Sequence, residues 1–177
     1  MSSDDVHLLQ VGMVMIALNF GCNVFKFPNF TNLDINPENN PDRVMDITKI
    51  KDYYDQNTVD IIHAGHFFEH LSWDTGKRLM KDARDILRPC SPIIITVPDY
   101  KKTVLQNESD DNADRIIFGN GEHQTLYSLT RLEELAKQAG FYIYTELELE
   151  RNPWLILPAG IEPKPEKWQT SFIAIKT

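Results

Sequence analysis

Short, continuous apolar runs recur along this 177-residue chain, and they constrain its fold more than any other feature. Residues 13–20 (MVMIALNF), 59–64 (VDIIHA) and 93–97 (IIITV) predict strands that are buried on both faces. Residues 31–35 (TNLDI) predict another short strand, and residues 44–45 (VM) a marginal one. Because unbroken apolar strands are typical of parallel sheets covered on both faces, the runs favour an α/β fold.

Two segments between the first apolar runs predict helices. Residues 48–55 form the shorter one. Ser72 or Asp74 is expected to cap a longer helix that runs through Arg88, with its apolar side chains on one stripe, and Pro89 stops it. Helices in these places would supply the crossover connections that parallel strands need.

The second half of the chain carries fewer local signals. Residues 99–127 are polar and irregular, with a short helix expected near residues 113–118. Thr130 followed by Glu133 is a capping-box signature, so a helix is expected to begin there and to end at Gly140.

Two strands with no helix between them complete the pattern. They are predicted at residues 141–150 and 168–176, and the proline-rich link at 151–167 is expected to be a loop. Strands joined in this way should pair antiparallel at one edge of the sheet. We therefore expect a single domain over residues 1–177, with a mostly parallel sheet, helices on both faces and an antiparallel last strand.

The balance of charge limits the partners that the chain can bind. Eighteen Lys and Arg residues against 26 Asp and Glu residues give a formal charge of −8. Basic residues are in local excess only at 77–81 and 101–102, where a solvated helix face and a loop account for them. An acidic surface repels a phosphate backbone, so we expect no generic binding to duplex nucleic acid, whereas a small nucleotide-like molecule is compatible.

Three features bear on the compartment. Two cysteines, Cys22 and Cys90, make no disulfide framework and suggest a reducing environment. The apolar stretch at 11–18 is much shorter than the roughly 20 residues of a membrane span. Asp4 and Asp5 stand where a signal peptide carries positive charge. A cytoplasmic protein that does not enter a membrane is therefore expected.

Polar residues follow each predicted strand. The first strand is followed by Gly21, Cys22 and Asn23, the second by Asp34 and the third by Asp46. Residues 65–71 (GHFFEHL) follow the fourth strand, and Pro98-Asp99 the fifth. Since the carboxyl ends of parallel strands meet at one edge, and ligands of open α/β sheets bind there, these groups predict a binding site.

The same segments resemble a known family. LNFGCN, FTNLDINP, MDIT, VDIIHAGHFFEHL and IIITVPD, taken in this order, are similar to the motif series of class I S-adenosylmethionine-dependent methyltransferases, and most of all to the small type-11 group. The resemblance covers roughly residues 14–143. It implies a Rossmann-like fold, S-adenosylmethionine as cofactor, and methyl transfer to a small-molecule acceptor.

The resemblance also implies which residues bind the cofactor. Gly21 would let the backbone approach the methionine part. Asp34 would accept hydrogen bonds from the ribose hydroxyls, although it can also be a turn residue before Asn36-Pro37. Asp46 would lie near the adenine amino group, although it can also be a helix N-cap. The implied set is Asn19, Gly21, Cys22, Asn23, Asp34, Ile35, Asp46, Ile47 and His66.

Candidates for proton transfer come from the same comparison of motifs. His66 is the first candidate base, because the pKa of an unperturbed histidine lies near neutrality. Asp99 and His123 follow. His123 and Tyr127 resemble residues that face the acceptor pocket in the family, and a solvent-exposed loop is an equal alternative for both.

The histidines also raise the question of a metal site. His63, His66, Glu69 and His70 are close in sequence, and such residues can bind zinc. They lie at the end of one strand and the start of the next element, so they need not converge. We therefore expect no metal ion, and expect Glu69 and His70 to fix the loop through hydrogen bonds.

The chain departs from the family pattern after its first strand. Asn23 replaces a second glycine, and residues 21–30 are too few for the usual crossover helix, which is therefore expected to be missing. Phe25, Phe27 and Phe30 are expected to cover the bare sheet face instead. The loss of a helix N-terminus near the cofactor leaves an alternative function: a catalytically degenerate methyltransferase fold that serves as a binding or partner module.

Overall fold

The computed structural model describes residues 15–106, 110–144, 167 and 169–177. Its strands join one seven-stranded sheet. They are β1 (Ala17–Phe20), β2 (Thr31–Asp34), β3 (Arg43–Val44), β4 (Ile61–Gly65), β5 (Pro92–Pro98), β6 (Phe141–Tyr144) and β7 (Gln169–Lys176).

The order of the strands across the sheet is β3-β2-β1-β4-β5-β7-β6. The five strands from β3 to β5 run parallel, with Leu18 of β1 opposite Ile62 of β4. β7 lies between β5 and β6 and is antiparallel to both, so that Gln169 pairs with Pro98. The predicted mostly parallel sheet with an antiparallel last strand is confirmed.

The central strands are buried on both faces. Successive residues of a strand point to opposite sides of the sheet. Ile62 and Ile95 accordingly belong to the larger apolar cluster, and Ile61 and Ile94 to a second cluster on the other face. This is why the sequence of these strands shows unbroken apolar runs instead of alternation.

Helices connect and cover the strands. The α-helices of the described ranges are α1 (Trp73–Ile86), α2 (Tyr100–Gln106), α3 (Asp110–Phe118) and α4 (Leu129–Ala139). Short 3-10 helices span Pro37–Asn39, Ile47–Asp52, Phe68–His70 and Gly119–Gly121. Within the described part of the chain, none of the helices has the length and apolarity needed to cross a membrane.

Helix α1 confirms the helix predicted from its cap and stripe. Ser72 is the N-cap, and its hydroxyl oxygen accepts a hydrogen bond from the Thr75 backbone N–H at 3.3 Å. Leu79 and Met80, on the apolar stripe, are fully buried, and each contributes about 1.5–3 kcal/mol by leaving water. The helix ends at Ile86, two residues before the predicted Arg88, because Leu87 is already extended and forms a β-bridge with Val59.

Helix α4 begins two residues earlier than the capping box indicates. Its N-cap is Ser128, whose hydroxyl oxygen accepts from the Arg131 backbone N–H at 3.4 Å, so Thr130 lies inside the first turn. The predicted cap at Thr130 is therefore wrong. Gly140 ends the helix with a φ of 90°, as the sequence predicted, since glycine tolerates this left-handed conformation.

The region predicted to be irregular holds two helices. Asp99 starts the first of them, α2: its Oδ1 accepts from the backbone N–H groups of Lys101 at 3.0 Å and Lys102 at 3.2 Å. Helix α3 extends the short helix expected near 113–118 toward its N-terminus. A single capping aspartate after Pro98 is the signal that sequence reasoning missed.

The crossover from β1 to β2 contains no helix, as predicted. Asparagine side chains hold its backbone instead. Asn19 Nδ2 donates to the Phe25 carbonyl at 3.0 Å, and Asn32 Oδ1 accepts from the Phe27 backbone N–H at 3.0 Å. Asn23 has a φ of 44°, a conformation that asparagine tolerates better than most residues.

The three phenylalanines of the crossover differ in their surroundings. Phe30 is 6% exposed and belongs to the apolar cluster on the bare sheet face, and Phe27 packs against that cluster. Phe25 is 75% exposed. The expectation that all three rings cover the sheet is thus confirmed for Phe27 and Phe30 and wrong for Phe25. Phe25 lies in a turn, in which its backbone N–H donates to the Cys22 carbonyl.

Several other predictions concern segment ends. The short helix predicted at 48–55 is the 3-10 helix Ile47–Asp52. The start of the first predicted strand, at residues 13–14, lies outside the described residues, as do residues 145–150 and the predicted loop at 151–166.

Candidate cofactor site

A cavity of about 650 Å³ lies at the carboxyl ends of β1, β2 and β4. Its volume falls in the range of small-molecule and cofactor pockets. The predicted residues that line it are Gly21, Asn23, Asp34, Ile35, Asp46, Ile47 and His66. Its other lining residues are Asn36, Asn39, Met45, Thr48, Phe67, His70, Leu71 and Glu122.

Asp34 is placed by the end of β2 and by two backbone donors. It is 7% exposed. Oδ2 accepts from the Asn23 N–H at 2.8 Å, and Oδ1 accepts from the Asn36 N–H at 2.9 Å. Each carboxylate oxygen has a second lone pair, so the group can still accept from two further donors, such as a vicinal diol. The turn role and the binding role are therefore compatible.

Gly21 is required by its neighbour Phe67. Gly21 has a φ of 60°, and a Cβ built on it would lie 2.4 Å from Phe67 Cδ2. The ring of Phe67 also packs edge-on against Phe20, with centroids 6.1 Å apart. The ring of Phe67 therefore occupies the space above Gly21. The sequence had suggested that the methionine part of a cofactor would lie there.

The opposite wall of the cavity combines an apolar surface with a carboxylate. Ile35 is 67% exposed and lines the cavity, whereas Ile47 is 4% exposed. Asp46 is the N-cap of a 3-10 helix, and its Oδ1 accepts from the Thr48 hydroxyl at 2.6 Å and the Thr48 N–H at 3.0 Å. The hydroxyl bond is the main reason that the pKa of Asp46 lies below its usual value. The N-cap alternative is thus observed, and Asp46 lines the cavity as well.

His66 joins three elements of the structure. Its Nδ1 lies 3.0 Å from Oε1 of Glu69, which is 2% exposed, and its Nε2 lies 2.8 Å from Nε2 of Gln169 at the start of β7. Because the Gln169 amide nitrogen can only donate, His66 Nε2 accepts and Nδ1 carries the proton that Glu69 accepts. The backbone of His66 has a φ of 53°, which turns the chain out of β4 toward the cavity.

Two of the expected binding residues do not line this cavity. Asn19 is 2% exposed and its amide bonds Phe25, Asn32 and His63 inside the sheet. Cys22 is also buried, and its backbone N–H donates to Leu33 at 2.9 Å. Burial and the nearby Asp34 carboxylate raise the pKa of the Cys22 thiol, which keeps it protonated. Both residues are therefore buried structural residues that do not line the cavity.

The hydrogen bonds of Asp99 indicate a structural role. It is 3% exposed, and besides capping α2 it accepts at Oδ2 from the Leu129 backbone N–H at 3.1 Å. These bonds fix the ends of two helices to the end of β5. They leave the carboxylate beside backbone donors and away from the lining of the cavity.

His123 lies half-buried in a loop, whereas Tyr127 is buried. The Nδ1 of His123 lies 2.8 Å from the Ile117 carbonyl, and its ring meets that of His70 with centroids 4.9 Å apart. Tyr127 is 1% exposed, and burial raises the pKa of its hydroxyl. The exposed-loop alternative is therefore wrong for Tyr127.

The fold brings together residues that the sequence left apart. One possible ligand atom from each of Glu69, His70 and His123 lies within 4.8 Å of the other two. His63, considered with them from its position, instead lies on the sheet with Nδ1 2.9 Å from Asn19 Oδ1. No local pattern links His123 to Glu69, because the two are 54 residues apart and meet only through the tertiary fold.

A comparison with protein families identifies the family of the chain. A family model described as a methyltransferase domain matches residues 12–146. The chain belongs to this methyltransferase family. S-adenosylmethionine is its methyl donor. No curated protein sequence matches the chain.

Solved structures agree with this fold. An S-adenosylmethionine-dependent methyltransferase from Archaeoglobus fulgidus is 14% identical, with a TM-score of 0.65 over 92% of this chain and 86% of that one. One from Mesorhizobium loti is 13% identical, with a TM-score of 0.60 over 94% of each chain. A chain from the complex of the Haloferax volcanii Trm112 methyltransferase activator with a methyltransferase is 15% identical, with a TM-score of 0.61 over 92% and 83%. At such low sequence identity, these similarities show only that the fold is shared.

The residues of this methyltransferase fit a nucleoside at the cavity. Asp34 presents a carboxylate with acceptor capacity, and Ile35 presents an apolar surface beside it. These are the two kinds of contact that a ribose and a purine require. The lining of the cavity thus offers both kinds of contact, and the ring of Phe67 occupies the space above Gly21.

Proposed function

We propose that this methyltransferase methylates a small-molecule acceptor, with S-adenosylmethionine bound in the 650 Å³ cavity. The observation that carries the proposal is the position of Asp34. Its carboxylate stands at the end of β2, buried, fixed by two backbone donors and open toward the cavity. A fixed carboxylate in this place recognises a diol without having to reorganise.

The other lining residues receive matching roles in the proposal. Ile35 and Ile47 pack against the adenine ring, and Asp46 accepts from its amino group while capping its own helix. Bound S-adenosylmethionine supplies an electrophilic methyl group on a sulfonium centre. The protein contributes chiefly by holding the acceptor in line with that group.

His66 is the proposed proton acceptor where the methyl acceptor must lose a proton. The buried carboxylate of Glu69 fixes the His66 ring and keeps the proton on Nδ1, which leaves the basic lone pair on Nε2. That lone pair faces the amide of Gln169. An acceptor hydroxyl or amine bound at Nε2 would take the place of the Gln169 amide, so Gln169 marks the acceptor position.

A small acceptor is favoured by the charges around the site. Two basic groups of the local clusters are engaged: Lys102 Nζ donates to the Gln169 carbonyl at 2.9 Å, and Lys77 pairs with Asp74 at 2.7 Å. With a net charge of −8, the chain offers little attraction to a polyanion. The free thiols of Cys22 and Cys90 support the proposal that the enzyme works in the reducing cytoplasm.

Calorimetric titration with S-adenosylmethionine and S-adenosylhomocysteine tests the proposal. Replacing Asp34 by Ala should weaken binding by about 100-fold, since two hydrogen bonds to a charged group are lost. Asp55→Ala is the matched control, because this carboxylate is exposed and does not line the cavity. A thermal melt of each variant shows whether the fold is intact.

An unchanged affinity in a folded Asp34→Ala variant would contradict the assignment of the cofactor site. Absence of heat and of a thermal shift with both ligands at millimolar concentration would favour the alternative function, a binding or partner module without turnover. The missing crossover helix and the ring of Phe67 over Gly21 are the features that agree with that alternative.

A further inference from the structure

We propose that Glu69, His70 and His123 bind one divalent transition-metal ion, and that zinc suits this set of donors best. The site adjoins the cavity, because His70 lines it, but it uses none of the proposed nucleoside contacts, and the proposal does not depend on the proposed function. Two imidazoles and one carboxylate are a known zinc ligand set that leaves a fourth position open.

The donor atoms are close enough to share an ion. One atom from each residue lies within 4.8 Å of the other two. Zinc takes nitrogen and oxygen ligands at about 2.0–2.2 Å, so ligands on one ion are separated by at most about 4.4 Å. A modest contraction of neighbouring side chains, such as the edge-to-face rings of His70 and His123, would bring them round an ion.

A buried carboxylate oxygen points to a missing cation. Glu69 is 2% exposed, and its Oε1 lies 3.0 Å from His66. Its Oε2 has no hydrogen-bond partner among the described residues. A buried charged oxygen without a partner is costly, whereas a metal ion in contact with Oε2 would compensate that cost.

The imidazole of His123 is oriented as that of a metal ligand. Its Nδ1–H donates to the Ile117 carbonyl at 2.8 Å, which leaves Nε2 as the ring nitrogen that can bind an ion. Metal-binding histidines usually have such a partner on their other nitrogen. Gly119 makes room for the ring, because a Cβ at that position would lie 2.5 Å from His123 Nε2.

Backbone hydrogen bonds hold the two ligand-bearing segments together before any ion binds. The carbonyl of Glu69 accepts from the N–H groups of Gln124 at 2.8 Å and Thr125 at 3.1 Å. The hydroxyl of Thr125 donates to the Leu71 carbonyl at 2.7 Å. The residue next to His123 is thus tied to the residue next to His70, which lowers the cost of assembling the three ligands.

The test uses the full chain, stripped of metal with a chelator and titrated with zinc by calorimetry. We expect one equivalent to bind. His70→Gln and His123→Gln should each weaken binding by about 100-fold or more, since even outer-shell partners of a metal are worth 10–100-fold in affinity. Asp55→Asn, which removes an exposed carboxylate that does not line the cavity, should leave the affinity unchanged.

Cobalt provides a second measurement that does not depend on the variants folding. Cobalt bound to the wild-type chain by imidazole nitrogens should give visible absorption bands. These bands should disappear as one equivalent of zinc displaces the cobalt. No saturable binding, or zinc binding that persists in folded His70→Gln and His123→Gln chains, would overturn the proposal. Titration of the same samples with S-adenosylmethionine separates this outcome from a failure of the proposed function.

Discussion

At the scale of single residues, buried polar side chains explain much of the architecture beneath the cavity. Asn19 lies in the middle of β1 and bonds the crossover backbone at Phe25, the amide of Asn32 and the ring of His63. Asn19 Oδ1 can only accept, so His63 Nδ1 carries a proton. Phe27 packs edge-on against that ring, with centroids 4.7 Å apart. His63 is therefore surrounded by groups that do not stabilise a positive charge.

We expect the stability of the protein to depend on pH through His63. Burial, and to a smaller extent the neighbouring His66, lowers the pKa of His63 to about 4. In the unfolded chain the pKa is about 6.5, so between these values the unfolded state binds more protons. The free energy of unfolding should fall as pH drops through this window, by up to about 1.4 kcal/mol per pH unit and about 3 kcal/mol in total.

Urea unfolding of His63→Gln between pH 4 and pH 7 measures this contribution. Glutamine keeps a donor for Asn19 but does not titrate, so the variant should lose stability more slowly than the wild type as pH falls. Carboxylates such as Asp42, whose pKa is lowered chiefly by its hydrogen bond to the Asn32 backbone, titrate in both proteins and cancel in the difference. If the free energy of unfolding fell equally with pH in the wild type and in His63→Gln, His63 would not be held neutral in the fold.

Several site residues could be predicted because each directly follows an apolar run. Asp34, Asp46 and His66 line the cavity for this reason. The sequence could not separate them from Asn19, which is equally polar and equally near a strand end but points into the sheet. Which way a side chain points at the end of a short strand depends on its neighbours in space, and these are distant in sequence.

At the scale of elements, the first crossover replaces a helix by an asparagine-bonded turn and two aromatic rings. Phe30 is buried against the sheet face that the helix would cover, next to Ile61 and Ile94. Phe25 lies only a few residues away and is 75% exposed. The crossover thus offers a matched pair of phenylalanines in opposite surroundings.

Truncating the two rings should have very different effects on stability. Phe30→Ala should lower the free energy of unfolding by about 3 kcal/mol, because it opens a cavity in the second apolar cluster. Phe25→Ala should change it by no more than about 0.5 kcal/mol. Chemical denaturation of both variants measures the difference. Equal effects would mean that the crossover does not cover the sheet through Phe30.

Element types could be predicted better than element ends. The amphipathic pattern of α1 left Ser72 or Asp74 as its N-cap, and the structure uses Ser72. For α4 the capping box indicated Thr130, whereas the structure uses Ser128, two residues earlier. Helix α2 has one fully buried side chain, Thr103, so it shows almost no periodicity in the sequence. Its formation depends on the Asp99 cap and on tertiary packing.

At the scale of the whole molecule, Lys176 joins the last strand to the end of α1. Its Nζ donates to the carbonyls of Leu87 at 2.8 Å and Asp85 at 3.2 Å, and to the Asn57 side chain at 2.8 Å. The residue is 9% exposed, and burial lowers the pKa of its ammonium group. The carbonyls are those that a helix end leaves without intrahelical partners.

We expect Lys176→Met to lower the free energy of unfolding by about 2 kcal/mol. The methionine keeps the apolar stem but leaves the buried carbonyls without their charged donor. Lys137→Met is the control, since Lys137 forms only an exposed pair with Glu133 at 3.3 Å, worth about 0.5 kcal/mol or less. Thermal or urea unfolding compares the two. A loss no larger at Lys176 than at Lys137 would contradict this account.

The insertion of β7 between β5 and β6 has a consequence for how the protein is made. β5 and β6 both pair with β7 (Gln169–Lys176) and not with each other, and β7 is translated after every other strand of the sheet. Until then a growing chain on the ribosome carries the edge of β5 unpaired, with the apolar run Ile93–Val97 along it. Such an edge is open to pairing with other chains. Synthesis of the last strand therefore completes the sheet and removes its main hazard for aggregation in one step.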